Sequence, residues 1–133
     1  MNGGLIYLDS SALIKLIFEE RETQALIQFL SAWPNRMSSV LARVEVMVSV
    51  RRVHDEDVRR EALNVLSGIN LVHPDHGLLA AAATTDPPVV RTLDAIHLAT
   101  AISLGHELAG IVVYDHRLAD AARHAGLTVW APS

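Results

Sequence analysis

Short apolar runs alternate with amphipathic stretches along this chain, and the alternation predicts strands separated by helices. The apolar runs at residues 5–8 and 111–114 are clear strand candidates, and weaker ones, each interrupted by polar residues, lie at 37–40, 69–72 and 127–130. Continuous apolar runs bounded by turn residues are typical of strands buried on both faces of a parallel sheet. The pattern therefore predicts an α/β domain with a largely parallel sheet.

Between the strand candidates, apolar residues recur at helical spacing and polar residues stand where helices begin. One such face ends at Pro34 and consists of Leu26, Ile27, Leu30 and Trp33. Further helices are predicted after a cap at Asp9 or Ser10, after the acids at 55–57, over 78–83, over 93–104 from a cap at Thr92, and over 118–125. The Asp-Pro-Pro sequence at 86–88 predicts a loop.

One segment, residues 44–50, fits two kinds of element. Valine alternates there with other residues, and this period of two is typical of a strand with Glu45 on its polar side. The spacing of Leu41, Val44 and Val48 also fits a helix that continues to residues 51–52. The pattern alone leaves both interpretations open.

The composition describes one aliphatic domain. A chain of 133 residues, half of them hydrophobic, is expected to form a single domain over residues 1–133. No apolar run approaches the roughly 18 residues that a membrane helix needs. The first residues carry no basic leader segment, so we expect a cytoplasmic location. The absence of cysteine excludes disulfides and cysteine-ligated zinc.

The net charge of −4 argues against a surface that binds nucleic acid everywhere by neutralising phosphates. If four of the 15 acidic residues were held in one metal site, however, the other 11 would balance the 11 lysines and arginines. The rest of the surface would then be neutral. Net charge therefore does not exclude a nucleic-acid substrate.

Four acidic residues stand next to predicted strands or within apolar stretches, where an ionised carboxylate is costly unless it is paired or bound to a metal. Asp9 and Asp115 each follow a strand candidate, and ligands of open α/β sheets bind outside those strand ends. Asp94 lies in the first turn of a predicted helix, and Glu45 is surrounded by valine and methionine. Taken singly, the aspartates could complement helix termini and Glu45 could pair with a nearby arginine, Arg43 or Arg52. Together they suit a hard divalent cation, Mg²⁺ or Mn²⁺, which takes oxygen ligands.

The segments that carry these acids resemble the ordered acidic motifs of PIN-domain ribonucleases, specifically the VapC-type toxins of VapBC toxin–antitoxin modules. The segments are LDSSAL at 8–13, ARVE at 42–45, LDAIHLATA at 93–101 and YDHRLADAA at 114–122. The resemblance covers essentially the whole chain in length and motif order. Its third and fourth motifs are the most specific.

The resemblance implies an α/β/α sandwich around a parallel sheet of four or five strands, with Glu45 on a helix. It also implies a Mg²⁺-dependent endoribonuclease, in which Asp9 and Asp94 are the principal metal ligands and Asp115 a further or water-mediated ligand. Glu45 would be the fourth acid. The general base would be a carboxylate that is not tightly bound to metal, Glu45 or Asp115. The chain departs from the family at Val113, where the family often has threonine or serine.

Supporting residues and partners complete these expectations. Ser11 would donate or accept hydrogen bonds in the acidic pocket, and His97 is interpreted as part of a packed helix. RNA phosphates would contact basic residues near the acids, namely Lys15, Arg43, Arg91 and Arg117. The resemblance implies a VapB-type antitoxin as partner, and the mean hydropathy of +0.27 predicts a homodimer or higher assembly. The alternatives are a catalytically silent PIN-fold binding module and, less favoured, a Mg²⁺-binding phospho-receiver.

Overall fold

A computed structural model describes residues 3–85 and 91–133, and within them five strands and seven α-helices alternate along the chain. The predicted loop at 86–88 lies outside the described residues. The elements are β1 (Leu5–Leu8), α1 (Ser10–Ile17), α2 (Thr23–Leu30), β2 (Arg36–Ser39), α3 (Val40–Arg51), α4 (Glu56–Ser67), β3 (Asn70–Val72), α5 (His76–Ala83), α6 (Thr92–Ser103), β4 (Leu108–Val112), α7 (His116–His124) and β5 (Val129–Trp130).

The strands form one parallel sheet in the order β3-β2-β1-β4-β5. Beginning at β1, the chain first adds strands on one side of it and then returns to add β4 and β5 on the other side. The crevice between β1 and β4 is therefore the point where the strand order reverses. Ligands of open α/β sheets bind at such a point, outside the carboxyl ends of the strands.

Both faces of the sheet are covered, as the continuous apolar runs predict. Ile6 and Leu8 of β1 face a core shared with α1, α2, α3 and α4. Tyr7, between them, faces the opposite core, where Leu98 of α6 and Leu118 of α7 pack. Successive side chains of a strand point to opposite faces, so a strand buried on both sides has no polar position. The structure confirms the predicted α/β/α sandwich with five parallel strands.

Some predicted boundaries differ from the observed ones. Residues 44–50 are helical, since they lie inside α3, and the strand interpretation is wrong. Helix α2 ends at Leu30, so Trp33 lies beyond it. Thr92 is the first helical residue of α6 and Arg91 occupies the cap position. Strand β4 ends at Val112, two residues earlier than predicted.

A close approach between β4 and β5 requires glycine at one position. The ring of Trp130 and the carbonyl of Thr128 lie against the Cα of Gly110, where a Cβ atom would overlap them. The indole can therefore lie close to β4 and pack in a tilted arrangement against Phe29 and Trp33, with ring centroids 5.3 and 5.4 Å away. Among the described residues, no helix is long and apolar enough to cross a membrane.

Candidate active site

The first acid lies at the crevice between β1 and β4. Asp9 directly follows β1, and its backbone N–H donates to the carbonyl oxygen of Val112 at the end of β4, with 3.3 Å between nitrogen and oxygen. Its side chain caps α1, with Oδ1 accepting from the N–H of Ala12 at 3.0 Å and from the hydroxyl of Ser11 at 2.6 Å. The carboxylate is thus fixed in the crevice by local bonds that its own sequence, Asp-Ser-Ser, supplies.

Asp9 is almost fully buried, and burial disfavours its ionised form. Desolvation raises the pKa of Asp9 from 3.8 to about 6, against the lowering effect of the hydrogen bonds from Ser11 and Ala12. The negative charge of Glu45 makes a smaller contribution in the same direction, which is included in that value. The two hydrogen bonds donated to the carboxylate by described residues both fall on Oδ1. Oδ2 is therefore the oxygen left for another ligand.

Glu45 is held at both oxygens. It projects from α3, and its Oε2 accepts from the hydroxyl of Ser10 at 3.1 Å, which joins α3 to the start of α1. Its Oε1 lies 2.8 Å from Nε2 of His97 on α6. The side chain keeps 26% of its surface exposed. Glu45 therefore has a fixed orientation and an open side toward solvent.

His97 links Glu45 to the core of the sheet. The imidazole is buried, and its Nδ1 lies 2.7 Å from the hydroxyl of Tyr7, which is 0% exposed. The two rings meet edge to face, 5.8 Å apart between centroids. A hydrogen-bonded chain thus runs from Tyr7 through His97 and Glu45 to Ser10, linking β1, α6, α3 and α1.

The two remaining acids stand at the starts of α6 and α7. Asp94 is in the first turn of α6, and burial raises its pKa, as do the negative charges of Asp115 and Glu45. Asp115 is exposed and caps α7, with Oδ1 accepting from the N–H of Leu118 at 2.9 Å. The negative charge of Glu45 thus raises the pKa of both Asp9 and Asp94, and that of Asp115 raises the pKa of Asp94, so the predicted acids influence one another electrostatically.

The set of donors suits a hard divalent cation, because such ions prefer carboxylate oxygens. A bound cation would also offset the cost of keeping Asp9 ionised in a buried place. Within residues 3–85 and 91–133, no three histidine, aspartate or glutamate side chains are already gathered as a finished metal cage. The carboxylates would therefore have to close around a cation as it binds.

The basic residues predicted to contact RNA have different positions. Arg91 caps α6 and lowers the pKa of Asp94, so its charge reaches the crevice, and Arg117 lies exposed in the first turn of α7. Arg43 instead lines a separate groove between α3 and α4. Lys15 is buried, and its ammonium pairs with Glu20 and Glu22 at 3.1 Å each. This arrangement disfavours the predicted contact between Lys15 and an RNA phosphate.

Lys15 contributes to the fold in another way. Its ammonium lies 4.7 Å from the ring centroid of Tyr114, just after β4. The N–H of Tyr114 donates to the Ser11 hydroxyl at 3.0 Å, so the segment leading to Asp115 is tied to the loop that carries Asp9. Val113, where the family often has a hydroxyl, is buried in the apolar core with Tyr7. Ser11, in the first turn of α1, thus supplies a hydroxyl contact beside this segment.

Sequence reasoning missed several polar residues around the acids. Ser10 was considered only as a cap, and His97 only as a packed residue. Tyr7 was counted among the apolar positions of a strand. Arg52 lies on the same face of α3 as Glu45, seven positions later, and both line a groove of about 410 Å³ with Leu93. The available signal was spacing, since 45 and 52 share a helical face and His97 lies one turn after the third acid.

A family model described as PIN domain matches residues 6–124 of the chain. The chain is 45% identical over 130 residues to Ribonuclease VapC46 of Mycobacterium tuberculosis strain ATCC 25618 / H37Rv, covering 96% of this chain and 98% of that one. It is 36% identical to Ribonuclease VapC47 of strain CDC 1551 / Oshkosh, covering 96% and 97% of the two chains.

Two solved structures are similar. A toxin–antitoxin complex from Klebsiella pneumoniae contains a chain 29% identical to this one, with a TM-score of 0.71 and coverage of 96% and 98%. The crystal structure of Mycobacterium tuberculosis VapC20, named as a sarcin-ricin loop cleaving toxin, has a TM-score of 0.69 at 18% identity, covering 92% and 96%. The second likeness supports the fold alone.

Proposed function

The chain belongs to the PIN domain family, and on that premise we propose that it is a VapC-type endoribonuclease, the toxin of a toxin–antitoxin pair, that needs Mg²⁺ or Mn²⁺. The observation that supports the proposal is Asp9, a carboxylate buried at the crevice between β1 and β4 and repelled by Glu45, whose charge also acts on Asp94. Carboxylates that are buried and repel one another cost free energy when they are ionised. A bound divalent cation would offset that cost and would in turn attract a phosphodiester.

In this proposal Asp9 and Asp94 hold the cation, and Asp115 contacts it directly or through water. When bound, the cation supplies positive charge against the scissile phosphate and lowers the pKa of a water molecule. Glu45 accepts the proton of the attacking water, since it lies between the other acids and is oriented by two hydrogen bonds. The bond to phosphorus forms from that water as the bond to the leaving ribose oxygen breaks.

The RNA strand would leave the crevice along the groove beside Glu45. This groove continues along α3 to Arg52, and the rise of the helix puts seven positions about 10 Å apart. Val44 and Leu93, both exposed, offer apolar walls for a base or ribose. Arg52 and Arg91 would contact phosphates on either side of the scissile one. Backbone contacts of this kind read shape more than sequence.

The decisive experiment measures RNA cleavage by purified protein with Mg²⁺, with Mn²⁺ and with chelator. Wild-type protein should cleave only with metal, and Asp94→Asn should abolish cleavage while its circular dichroism stays unchanged. Asp120→Asn is the matched control, because Asp120 is an exposed aspartate on α7 that pairs only locally with Arg123. Undiminished cleavage in chelator, or by Asp94→Asn, would contradict the proposal. Absence of cleavage by wild-type protein, with RNA binding retained, would favour the catalytically silent binding module.

The proposed partner is a VapB-type antitoxin. Expression of the chain alone should arrest growth, expression of the Asp94→Asn variant should not, and a gene adjoining this one should restore growth. Growth without any arrest under wild-type expression would contradict the toxin assignment even if the nuclease activity is real. We also propose a homodimer, because large apolar side chains remain exposed on α5 and α6, at Leu79 and Ile102. Light scattering that finds only a 14.5 kDa species at micromolar concentration would contradict the dimer.

A further inference from the structure

His97 is a buried titratable residue that the proposed chemistry does not use, and both of its ring nitrogens are hydrogen-bonded. Nδ1 lies 2.7 Å from the Tyr7 hydroxyl and Nε2 lies 2.8 Å from Oε1 of Glu45. A buried neutral imidazole has one N–H donor and one acceptor nitrogen, and both need a partner. Two short bonds along one line, from the sheet to a catalytic carboxylate, indicate a defined protonation pattern.

The direction of the bond at Nδ1 follows from the surroundings of Tyr7. Among the described residues, only Nδ1 meets hydrogen-bonding geometry with the Tyr7 hydroxyl. Ser38 and Thr100 flank that hydroxyl, but each donates its own proton to a backbone carbonyl oxygen at 2.6 Å, and neither hydroxyl oxygen meets hydrogen-bonding geometry as an acceptor from Tyr7. A tyrosine hydroxyl carries its proton at neutral pH, so this buried hydroxyl needs an acceptor. Tyr7 therefore donates to Nδ1, which must be unprotonated.

The proton of the imidazole then belongs on Nε2, which donates to Glu45. Since the serine hydroxyl of Ser10 donates to the other oxygen, both carboxylate oxygens are anchored and the carboxylate plane is fixed. A neutral donor orients Glu45 without cancelling its negative charge. The remaining lone pairs of the carboxylate stay available on the side of the crevice.

We propose that His97 is a positioning residue, which holds Glu45 in its reactive orientation through a neutral Nε2–H tautomer that Tyr7 fixes. The inference rests on the proposed nuclease function, because the effect on cleavage passes through Glu45. The tautomer itself does not depend on that function. Two experiments therefore separate the two ideas.

The first experiment reads the tautomer by two-bond ¹H–¹⁵N correlation NMR of uniformly labelled protein, with the His97→Asn spectrum giving the assignment. We expect Nε2 at the shift of a protonated nitrogen and Nδ1 at that of an unprotonated acceptor. Tyr7→Phe keeps the ring and removes only the hydroxyl, and it should move both shifts toward a mixture of tautomers. An Nδ1–H or doubly protonated ring at pH 7.5, or no response to Tyr7→Phe, would overturn the proposal.

The second experiment compares His97→Gln with His97→Asn on a fluorophore-quenched RNA that wild-type protein cleaves. The glutamine amide nitrogen can take the place of Nε2, whereas the asparagine amide reaches only the place of Nδ1. His97→Asn should lower kcat about 10- to 100-fold with KM nearly unchanged, a loss typical of residues that orient a ligand or base. His97→Gln should recover most of that loss.

Equal losses of kcat in the two variants, matched to equal losses of thermal stability, would mean that His97 has only a structural role. If wild-type protein cleaves no RNA, the nuclease proposal fails and the NMR result alone decides whether the hydrogen-bonded chain exists. Should either variant fail to fold, Tyr7→Phe replaces it in the assay, with kcat expected to fall several-fold at unchanged KM. Unchanged kcat in folded Tyr7→Phe would overturn the positioning role.

Discussion

Ionised Asp9 destabilises the metal-free protein, and this can be measured without any knowledge of the RNA. Burial raises the pKa of Asp9 from 3.8 to about 6, which corresponds to a cost of about 3 kcal/mol when the residue is ionised. Asp9→Asn keeps the cap, since asparagine caps helices as well as aspartate does, and removes the charge. At pH 8 in chelator, the variant should therefore be more stable than wild-type protein by up to about 3 kcal/mol.

The pH dependence follows from the direction of the shift. Because the pKa of Asp9 is higher in the folded protein than in the unfolded chain, the folded state binds this proton more tightly. The contribution of Asp9 to stability is therefore largest at low pH. The contribution is lost as the pH rises from about 4 to about 6 and stays lost above that. The difference between Asp9→Asn and wild type should therefore be near zero at pH 3 and should reach its full size by pH 7.

The assay is urea unfolding followed by circular dichroism, with and without Mg²⁺. Asp75→Asn is the matched control, because Asp75 is an exposed cap whose Oδ1 accepts from the third following N–H, that of Leu78, at 2.8 Å. This control should lose a few tenths of a kcal/mol from the helix dipole instead of gaining stability. Mg²⁺ at ten times its Kd should stabilise wild-type protein by about 1.4 kcal/mol and Asp9→Asn far less. An Asp9→Asn variant no more stable than wild type at pH 8 in chelator would refute the reasoning about burial.

Three further predictions test the surroundings of the crevice. Arg52→Gln should weaken RNA binding and reduce its salt dependence, whereas Arg51→Gln, its neighbour on another face of α3, should leave both unchanged; equal effects in a salt titration of affinity would contradict the groove. Gly110→Ala should destabilise the protein by about 1–3 kcal/mol in urea unfolding, because its Cβ would overlap the ring of Trp130, and an unchanged midpoint would contradict that contact. Ser11→Ala should cost about 1–2 kcal/mol by the same assay, since it removes a donor to a buried carboxylate and an acceptor for a backbone N–H; a loss below about 0.3 kcal/mol would count against both bonds.

The sheet and its acidic edge could be predicted because local sequence determines them. A strand buried on both faces shows a continuous apolar run, and the residue after it is placed at the edge by the strand alone. Asp9 directly follows β1 and is predicted in this way, whereas Asp115 stands three residues after β4, as the cap of α7, and its prediction rests on a strand that extends two residues too far. The strand order β3-β2-β1-β4-β5 creates the crevice at that edge. It depends on pairing between distant segments, so no single segment of the sequence predicts it.

The helix at residues 44–50 shows where periodicity fails. Valine at every second position satisfies a strand, but the buried positions are Val46 and Val50, four apart, while Val44 is 58% exposed. Only tertiary contact decides which valines face the core, since β-branched residues are tolerated in helices that pack well. The helical geometry of α3 directs Glu45 toward His97 of α6. A strand over the same residues would direct its side chain differently.

The hydrogen-bonded chain of Tyr7, His97 and Glu45 could not be predicted, because each link joins segments far apart in sequence. Tyr7 and His97 are 90 residues apart, and His97 and Glu45 are 52 apart. The face to which Tyr7 points follows from its register in β1, between Ile6 and Leu8. That α6 presents a histidine at the same depth is a property of packing. Sequence spacing could suggest the face of α6 but not its neighbour.

Lys15 and Asp9 are both buried ionisable residues, but only Lys15 has ion-pair partners among the described residues. This difference distinguishes a structural charge from a candidate functional one. Lys15 is surrounded by partners, with Glu20 and Glu22 each 3.1 Å from its ammonium, so its burial is compensated within the fold. Asp9 is also buried, but no described lysine or arginine forms an ion pair with it, and its neighbour Glu45 is a second acid. A fold selected for stability alone would place a cation or a neutral side chain there. The buried charge of Asp9 at the crevice is therefore consistent with the cation that we propose as its ligand, because carboxylate oxygens are the donors that a hard divalent cation prefers.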